Sequence, residues 1–281
     1  MFAPITRSMT LTLGLFSVVL SPELQAENDP DRESQAHVKA LELGSTNVTA
    51  EGLGANTEHT GAYTTGAMST ATKLNLSIKE TPQSISVVTR QQMDDFNLNT
   101  LSEAMRQTTG IVVQHIDSDR VGYSARGYSI NNFQIDGMLN TFGRMKSDAD
   151  TIIYDRIEVV RGATGLTTGA GDPSATINMV RKRPTAQWQA NAGVSGGSHD
   201  NYYSSLDVGG PLAFDGRLRG RAVFAYRDSQ SFRDNYALQR EVGYAILEGD
   251  LTDDTVLAVG FDYQNKHVQG TSWGTLPYWN S

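Results

Sequence analysis

Glycines 162, 165, 169 and 171 crowd the stretch RIEVVRGATGLTTGAGDPSATINMV, between two apolar runs. A glycine-rich turn after a strand can aim backbone N–H groups at a phosphate where a helix begins. The spacing argues against it. A Walker loop closes on Gly-Lys-Ser/Thr, whereas Gly169-Ala170-Gly171 runs into Asp172-Pro173 and the next lysine is Lys182. A dinucleotide fingerprint wants a third glycine and a long helix behind it. Position 174 is Ser174, and Ala175 to Val180 is short and rich in β-branched residues, which favour a strand. Other chemistry is equally thin. His37, His59, His115, His199 and His267 are scattered with no metal-ligand spacing, and no Ser/His/Asp arrangement is readable, so no catalytic residue is assigned and an enzyme is not expected. With no cysteine, thiolate metal sites, thiol catalysis and disulfides are excluded together.

The formal charge of −8 over 281 residues argues against general nucleic-acid binding. Export is indicated at the N-terminus. Arg7 precedes the apolar run Met9 to Leu20, then come Ser21-Pro22 and Leu24-Gln25-Ala26 before Glu27-Asn28-Asp29. That is the layout of a secretory signal peptide over residues 1–26, too short to span a bilayer as a stable helix.

Three zones follow. Residues 27–72 are poor in large apolar groups and rich in Gly, Thr, Ala, Asn and Glu, a composition that buries too little to offset its ordering entropy; a flexible extension is expected. Within it Leu41-Glu42-Leu43-Gly44-Ser45-Thr46-Asn47-Val48-Thr49 has alternating apolar positions that could add as an edge strand to a partner, or have no such role. Residues 73–184 read as a compact mixed α/β unit. Strands are expected at Ile85–Thr89, Ile111–Gln114, Tyr123–Arg126, Phe133–Ile135, Ile157–Val160 and Ala175–Arg181. Thr100-Leu101-Ser102-Glu103 is a capping-box pattern opening a helix to about Thr109, stopped by Gly110.

From residue 185 to 281 the period becomes two. Trp188, Ala190, Ala192 and Val194 alternate with polar or small residues, as do Leu218, Gly220, Ala222, Phe224 and Tyr226, and again Leu257, Val259, Phe261 and Tyr263. Weaker strands are expected at 202–208 and 242–251, with reversals at 196–201, 209–216, 228–240 and 252–254. Such a pattern fits a half-buried soluble sheet or a membrane barrel with its apolar face in lipid. The short reversals at 209–216 and 252–254, against the longer loop at 228–240, favour the barrel, although the first reversal is also short.

The chain resembles TonB-dependent siderophore receptors of the bacterial outer membrane, of the ferripyoverdine receptor type. The resemblance runs from about Leu41 to Ser281. It is carried by KETPQSISVVTRQQMDDF, LSEAMRQTTGI, DSDRVGYSARGYSINNFQIDG and YDRIEVVRGATGLTTGAGDPSATINMVRKRPT, which are specific together and weak singly. It implies an α+β plug domain followed by the first antiparallel strands of an outer-membrane β-barrel, 22-stranded in the complete family member. The glycine-rich stretch then ends the plug, and RKRPT leads into the wall.

The resemblance also implies roles. Arg120, in the Asp117-Ser118-Asp119-Arg120 loop, matches a plug arginine that offers a cation to an anionic chelate. Trp273 matches a pocket tryptophan that could stack on a planar chromophore. Phe142 is the aromatic candidate in the Met138–Ile153 loop, which is shorter than the family leads one to expect. Arg156, Glu158 and Arg161 are read as one face of a plug strand, paired with charges on the barrel wall. Leu41, Glu42, Leu43 and Val48 mark the candidate TonB box, pulled as an added strand by the energy-transducing TonB protein. The implied partners are a ferric siderophore, TonB and the outer membrane. No cofactor and no protein-borne metal site are implied, because the siderophore itself carries the iron. The stretch between residues 26 and 73 is short for an extra signalling domain. Residues 187–281 hold about five strands at roughly ten residues each plus loops. Because open sheet edges in hydrocarbon cost several kcal/mol per unpaired group, an N-terminal portion of a longer receptor is expected, the alternative being a truncated, soluble periplasmic plug-like protein.

Overall fold

The computed structural model describes residues 54–140, 148–163, 173–233, 235–252 and 254–272. Its N-terminal part is built on a five-stranded sheet of order β1-β7-β8-β5-β6, comprising β1 Ser84–Thr89, β5 Asn132–Ile135, β6 Met138–Leu139, β7 Tyr154–Arg161 and β8 Ala175–Arg181. Only the β5–β8 pairing is parallel. A smaller sheet joins β2 Val112–His115, β3 Val121–Ala125 and β4 Tyr128–Ser129. Two hairpins close on Arg126-Gly127 and Asp136-Gly137, four residues at positive φ, where glycine carries no Cβ penalty.

Two short helices cover one side. The α2 helix, Leu101–Arg106, opens with the expected capping box: Thr100 accepts from the Glu103 amide and the Glu103 carboxylate accepts from the Thr100 amide. It ends earlier than Thr109, at a Gln107 cap. The α1 helix, Arg90–Asp95, was not expected, since RQQMDD carries no apolar period and buries only Arg90 and Met93. Its start is fixed by Thr89, whose hydroxyl accepts from the Gln92 amide. Met93, Leu101, Met105, Tyr123, Phe133, Ile157, Ile177 and Met179 are buried in the core.

The C-terminal part is an antiparallel meander in chain order: β9 Gln189–Gly197, β10 Asn201–Ala213, β11 Leu218–Gln230, β12 Ala237–Thr252 and β13 Thr255–Gln269. All five expected strands are present. The period of two sorts their faces. Leu206, Phe224, Leu247, Val259 and Phe261 point outward and are exposed, while Val223, Ala225, Val242, Tyr244 and Ile246 point inward and join the core of the N-terminal part. Three connections are tight, whereas the one between β11 and β12 is longer.

The ordered unit also begins earlier than Lys73. Residues 54–72 pack against the first sheet: Met68 and Ala71 are buried with Val160, and Met68 pairs with Leu76 in an isolated bridge. For these residues the expected flexible extension is corrected. Composition hid the reason, which is polar: their threonines bind buried carboxylates.

The glycine-rich stretch proves to be a hairpin connection, since β7 and β8 are antiparallel neighbours and the Gly162 amide donates to the Ser174 carbonyl at 2.9 Å. The next element among the described residues is β8, not a helix.

Candidate functional site

Arg120 lies in a loop shaped by one carboxylate. Asp117 accepts the amides of Asp119 and Arg120, at 3.0 and 2.7 Å, and the Arg120 Nε at 2.5 Å. Those amides, with the guanidinium, hold the Asp117 carboxyl at about 2. The loop is seated on the end of the meander where β11 meets β12. Tyr236 donates to the Ser118 carbonyl at 3.1 Å, Lys266 pairs with Asp119, and the Ser272 amide donates to the Ser118 hydroxyl at 2.8 Å. Arg120 therefore stands two residues from a direct contact with Ser272, the neighbour of Trp273. Trp273 and Phe142 themselves lie outside the described residues.

A second set of contacts joins the two parts near the other end of the meander. Arg221 sits at its centre with its side chain 1% exposed. Its guanidinium donates to both Glu58 oxygens, at 2.6 and 2.8 Å, and to both Asp207 oxygens, at 2.8 and 2.7 Å. Lys182 completes a quartet, 2.8 Å from Asp207 and 3.5 Å from Glu58. Alongside, Arg181 reaches Asp262 and Arg183 reaches Glu248, each at 2.9 Å, and the Tyr244 hydroxyl donates to the Lys182 carbonyl at 2.7 Å. The charge pairs therefore use Arg181, Lys182 and Arg183, a basic run placed directly before the first strand of the meander. Sequence reading treated that run as a connector. The available signal was the set of inward charges Asp207, Glu248 and Asp262 in strands whose outward positions are apolar.

Arg156, Glu158 and Arg161 behave differently from expectation. Arg156 pairs with Asp155 at 2.8 Å and with Glu158 at 2.6 Å, and Glu158 also accepts from the Thr70 hydroxyl. Arg161 donates to the Ser84 and Ser86 hydroxyls and to the Thr109 carbonyl. Among the described residues, the partners of all three lie in the N-terminal part, and the expected pairing with the wall is corrected for the five strands β9 to β13. The shared face is corrected too. Positions 156 and 158 are two apart, but 161 is three from 158, so the pleat turns Arg161 to the opposite side.

Glu58 belongs to an anchored segment. The Asp155 carboxylate accepts the amides of Thr57 and Glu58 at 2.9 Å, the Thr57 hydroxyl donates to the Asp155 carbonyl, and the Arg90 amide donates to that hydroxyl. Burial pushes the Glu58 carboxyl up, but hydrogen bonds from Arg221 and the charges of Lys182 and Arg221 outweigh it, leaving it below the usual carboxylate range. Leu41, Glu42, Leu43 and Val48 lie outside the described residues. Among the described residues no group of three or more histidines and carboxylates is placed to hold a metal.

An exposed apolar wall, an internal unit seated on it and a polar loop at one end can be compared with known proteins. Residues 77–176 match the family model described as TonB-dependent Receptor Plug Domain. The chain carries a TonB-dependent receptor plug. It is 50% identical over 254 residues to the ferripyoverdine receptor of Pseudomonas aeruginosa, covering 88% of this chain and 31% of that protein. The ferric-pyoverdine 358 receptor of Pseudomonas putida is 48% identical, over 85% of this chain and 30% of its own length. Among solved structures, the Pseudomonas aeruginosa ferripyoverdine receptor bound to ferripyoverdine superposes with a TM-score of 0.76 at 52% identity, covering 78% of this chain and 30% of that one. The alcaligin outer-membrane receptor of Bordetella pertussis gives 0.70 at 45% identity, over 76% and 37%. In sequence and fold the chain thus resembles one portion of the ferripyoverdine receptors. It spans about 30% of the length of the curated relatives it matches.

Proposed function

We propose that this chain forms the plug and the first five wall strands of an outer-membrane receptor that takes up a ferric siderophore of the pyoverdine class, with energy supplied through TonB. The observation that carries the reading is the seating of the Asp117–Arg120 loop on the outer ends of β12 and β13, in a chain half identical to a ferripyoverdine receptor. There the Arg120 cation meets the anionic chelate from outside, and Trp273 and Phe142 are the aromatic candidates to stack on it. The quartet at the opposite end holds the plug to the periplasmic side of the wall. Leu41, Glu42, Leu43 and Val48 form the segment that TonB engages. The outward rows of Leu, Val, Phe and Tyr on β11 to β13 face lipid.

The test uses iron-starved cells expressing the receptor that carries this chain. Radioiron-loaded pyoverdine should bind the outer-membrane fraction on ice and accumulate in warm cells, and loss of TonB should abolish accumulation while sparing binding. Arg120→Ala should weaken binding at least tenfold. Recovery of the protein only from the soluble periplasmic fraction, or uptake unaffected by loss of TonB, would overturn the reading.

A further inference from the structure

On the inner face of the meander three cations stand in one row. Arg227 of β11 is register partner to Arg240 of β12, and Arg240 to Lys266 of β13; on the other flank Arg227 is partnered by Tyr203 of β10. Like charges directly opposite across a ladder repel, so a row of three requires compensation. The plug supplies it incompletely. Lys266 has Asp119, and Arg227 lies over the Tyr203 ring, 4.9 Å from its centroid. Arg240, only 4% exposed, has the wholly buried Asp150 at 3.7 Å, beyond hydrogen-bonding reach. Asp150 is held from elsewhere, its Oδ1 accepting the Ile152 amide and its own amide donating to Gln264. Arg240 Nε and Nη1, Arg227 Nε and Asp150 Oδ2 are all buried without a hydrogen-bond partner among the described residues. A buried, unmade hydrogen bond on a charged group is among the more expensive features a fold can retain.

From this we infer that the Arg227–Arg240–Lys266 row is a second binding site for an anionic iron chelate, occupied during passage and distinct from the Arg120 loop above it; the inference rests on the uptake reading. The plug core packs directly on the wall through Val223, Val242 and Tyr244, so passage requires the plug to shift. Asp119 and Asp150 belong to the plug and shift with it, whereas the three cations stay on the wall. With strands about 4.8 Å apart, the row spans roughly 10 Å, enough to take two or three anionic groups of one chelate at once. The two guanidiniums offer the forked donors that carboxylate, hydroxamate or catecholate oxygens accept. The same row is a counter-ion set for the seated plug and a track for its cargo once the plug moves.

The experiment compares saturation binding of radioiron-loaded pyoverdine on ice with initial uptake velocity, normalised to surface-labelled receptor. The combined Arg227→Gln and Arg240→Gln variant, which leaves the Lys266–Asp119 seat of the Arg120 loop intact, should bind within twofold of the unaltered receptor and take up at least tenfold more slowly at saturation. Arg227→Lys with Arg240→Lys should restore velocity to within about threefold. Asp150→Asn separates transit from plug seating: it should keep uptake and exclude a large antibiotic. Saturating velocity of the double variant within twofold of the unaltered receptor would overturn the site, as would a loss confined to binding affinity. Equal loss of uptake in Asp150→Asn, with antibiotic leakage in both, would reduce the row to a plug anchor and also overturn it. Failure of the unaltered receptor to take up the chelate would instead refute the uptake reading, and the row would fall with it.

Discussion

Replacing Arg221 by methionine keeps most of the side chain's volume and removes the group that donates to all four oxygens of Glu58 and Asp207. The quartet then holds two carboxylates against Lys182 alone, which lies 2.8 Å from Asp207 and 3.5 Å from Glu58. All four side chains are at most 13% exposed, so water cannot take over the lost bonds without opening the contact. Removing one partner of such a buried pair costs about 3–5 kcal/mol, much of it the penalty of the orphaned charge. Opening of residues 54–60 relieves that penalty by carrying Glu58 to solvent. The amides of Thr57 and Glu58, which donate to Asp155, should then exchange with deuterated solvent a few hundred to a few thousand times faster, taking about 1.4 kcal/mol per tenfold. The assay is hydrogen exchange on the detergent-solubilised receptor, read peptide by peptide. Adding Glu58→Gln should recover part of the loss because the orphan charge is gone. Exchange of both amides within threefold of the unaltered receptor would refute the argument that this quartet holds the segment. The same contact has a pH signature. Because the folded Glu58 carboxyl lies below its ordinary value of 4.5, its contribution is present above that value and is lost as pH falls through the lowered one.

The remaining predictions concern single sites. Thr100→Ala removes the reciprocal cap of α2 and should destabilise the plug by about 1 kcal/mol in denaturant unfolding, whereas Thr100→Ser should be near neutral. Asp117, held at about 2, contributes loop stability that is present above its ordinary 3.8 and lost as pH falls through about 2; amide shifts of Asp119 and Arg120 should stay unchanged from neutrality to about pH 3, and Asp117→Asn should move them at every pH. A Cβ at Gly210 would come within 2.7 Å of the Trp188 ring, so Gly210→Val must displace that exposed indole, seen as a change in tryptophan emission in detergent.

The meander was legible because its two faces meet different media, and the resulting period of two survives strand by strand from Trp188 to Tyr263. The α2 start was legible because a cap is local, with Thr100 and Glu103 three residues apart. What failed to show has a common physical character. The residues that tie 54–72 to the sheet, Thr57 to Asp155 and Thr70 to Glu158, are small polar groups acting across about a hundred positions, and composition reads them as solvent-loving. The α1 helix has one buried apolar side chain, Met93, too few to make a period. Arg161 was grouped with Arg156 and Glu158 on one face, when the parity of its position already set it on the other.

Parity also explains why the charges of this chain divide as they do. An inward position on a membrane strand is the one place where a charge meets neither lipid nor bulk water, and its partner must come from whatever fills the interior. Asp207, Glu248 and Asp262 meet Lys182, Arg183 and Arg181 in close pairs between the strand middles and the β10–β11 and β12–β13 turns, whereas Arg227 and Arg240 are left with unmade bonds toward the β11–β12 loop. A plug that only had to stay seated would gain from pairing both ends equally well. On the proposed uptake reading, the asymmetry sets the firm contacts where the chain leaves the plug for the wall and the under-paired cations along the cargo's route, which is the arrangement a receptor needs if part of its plug must move while its root holds.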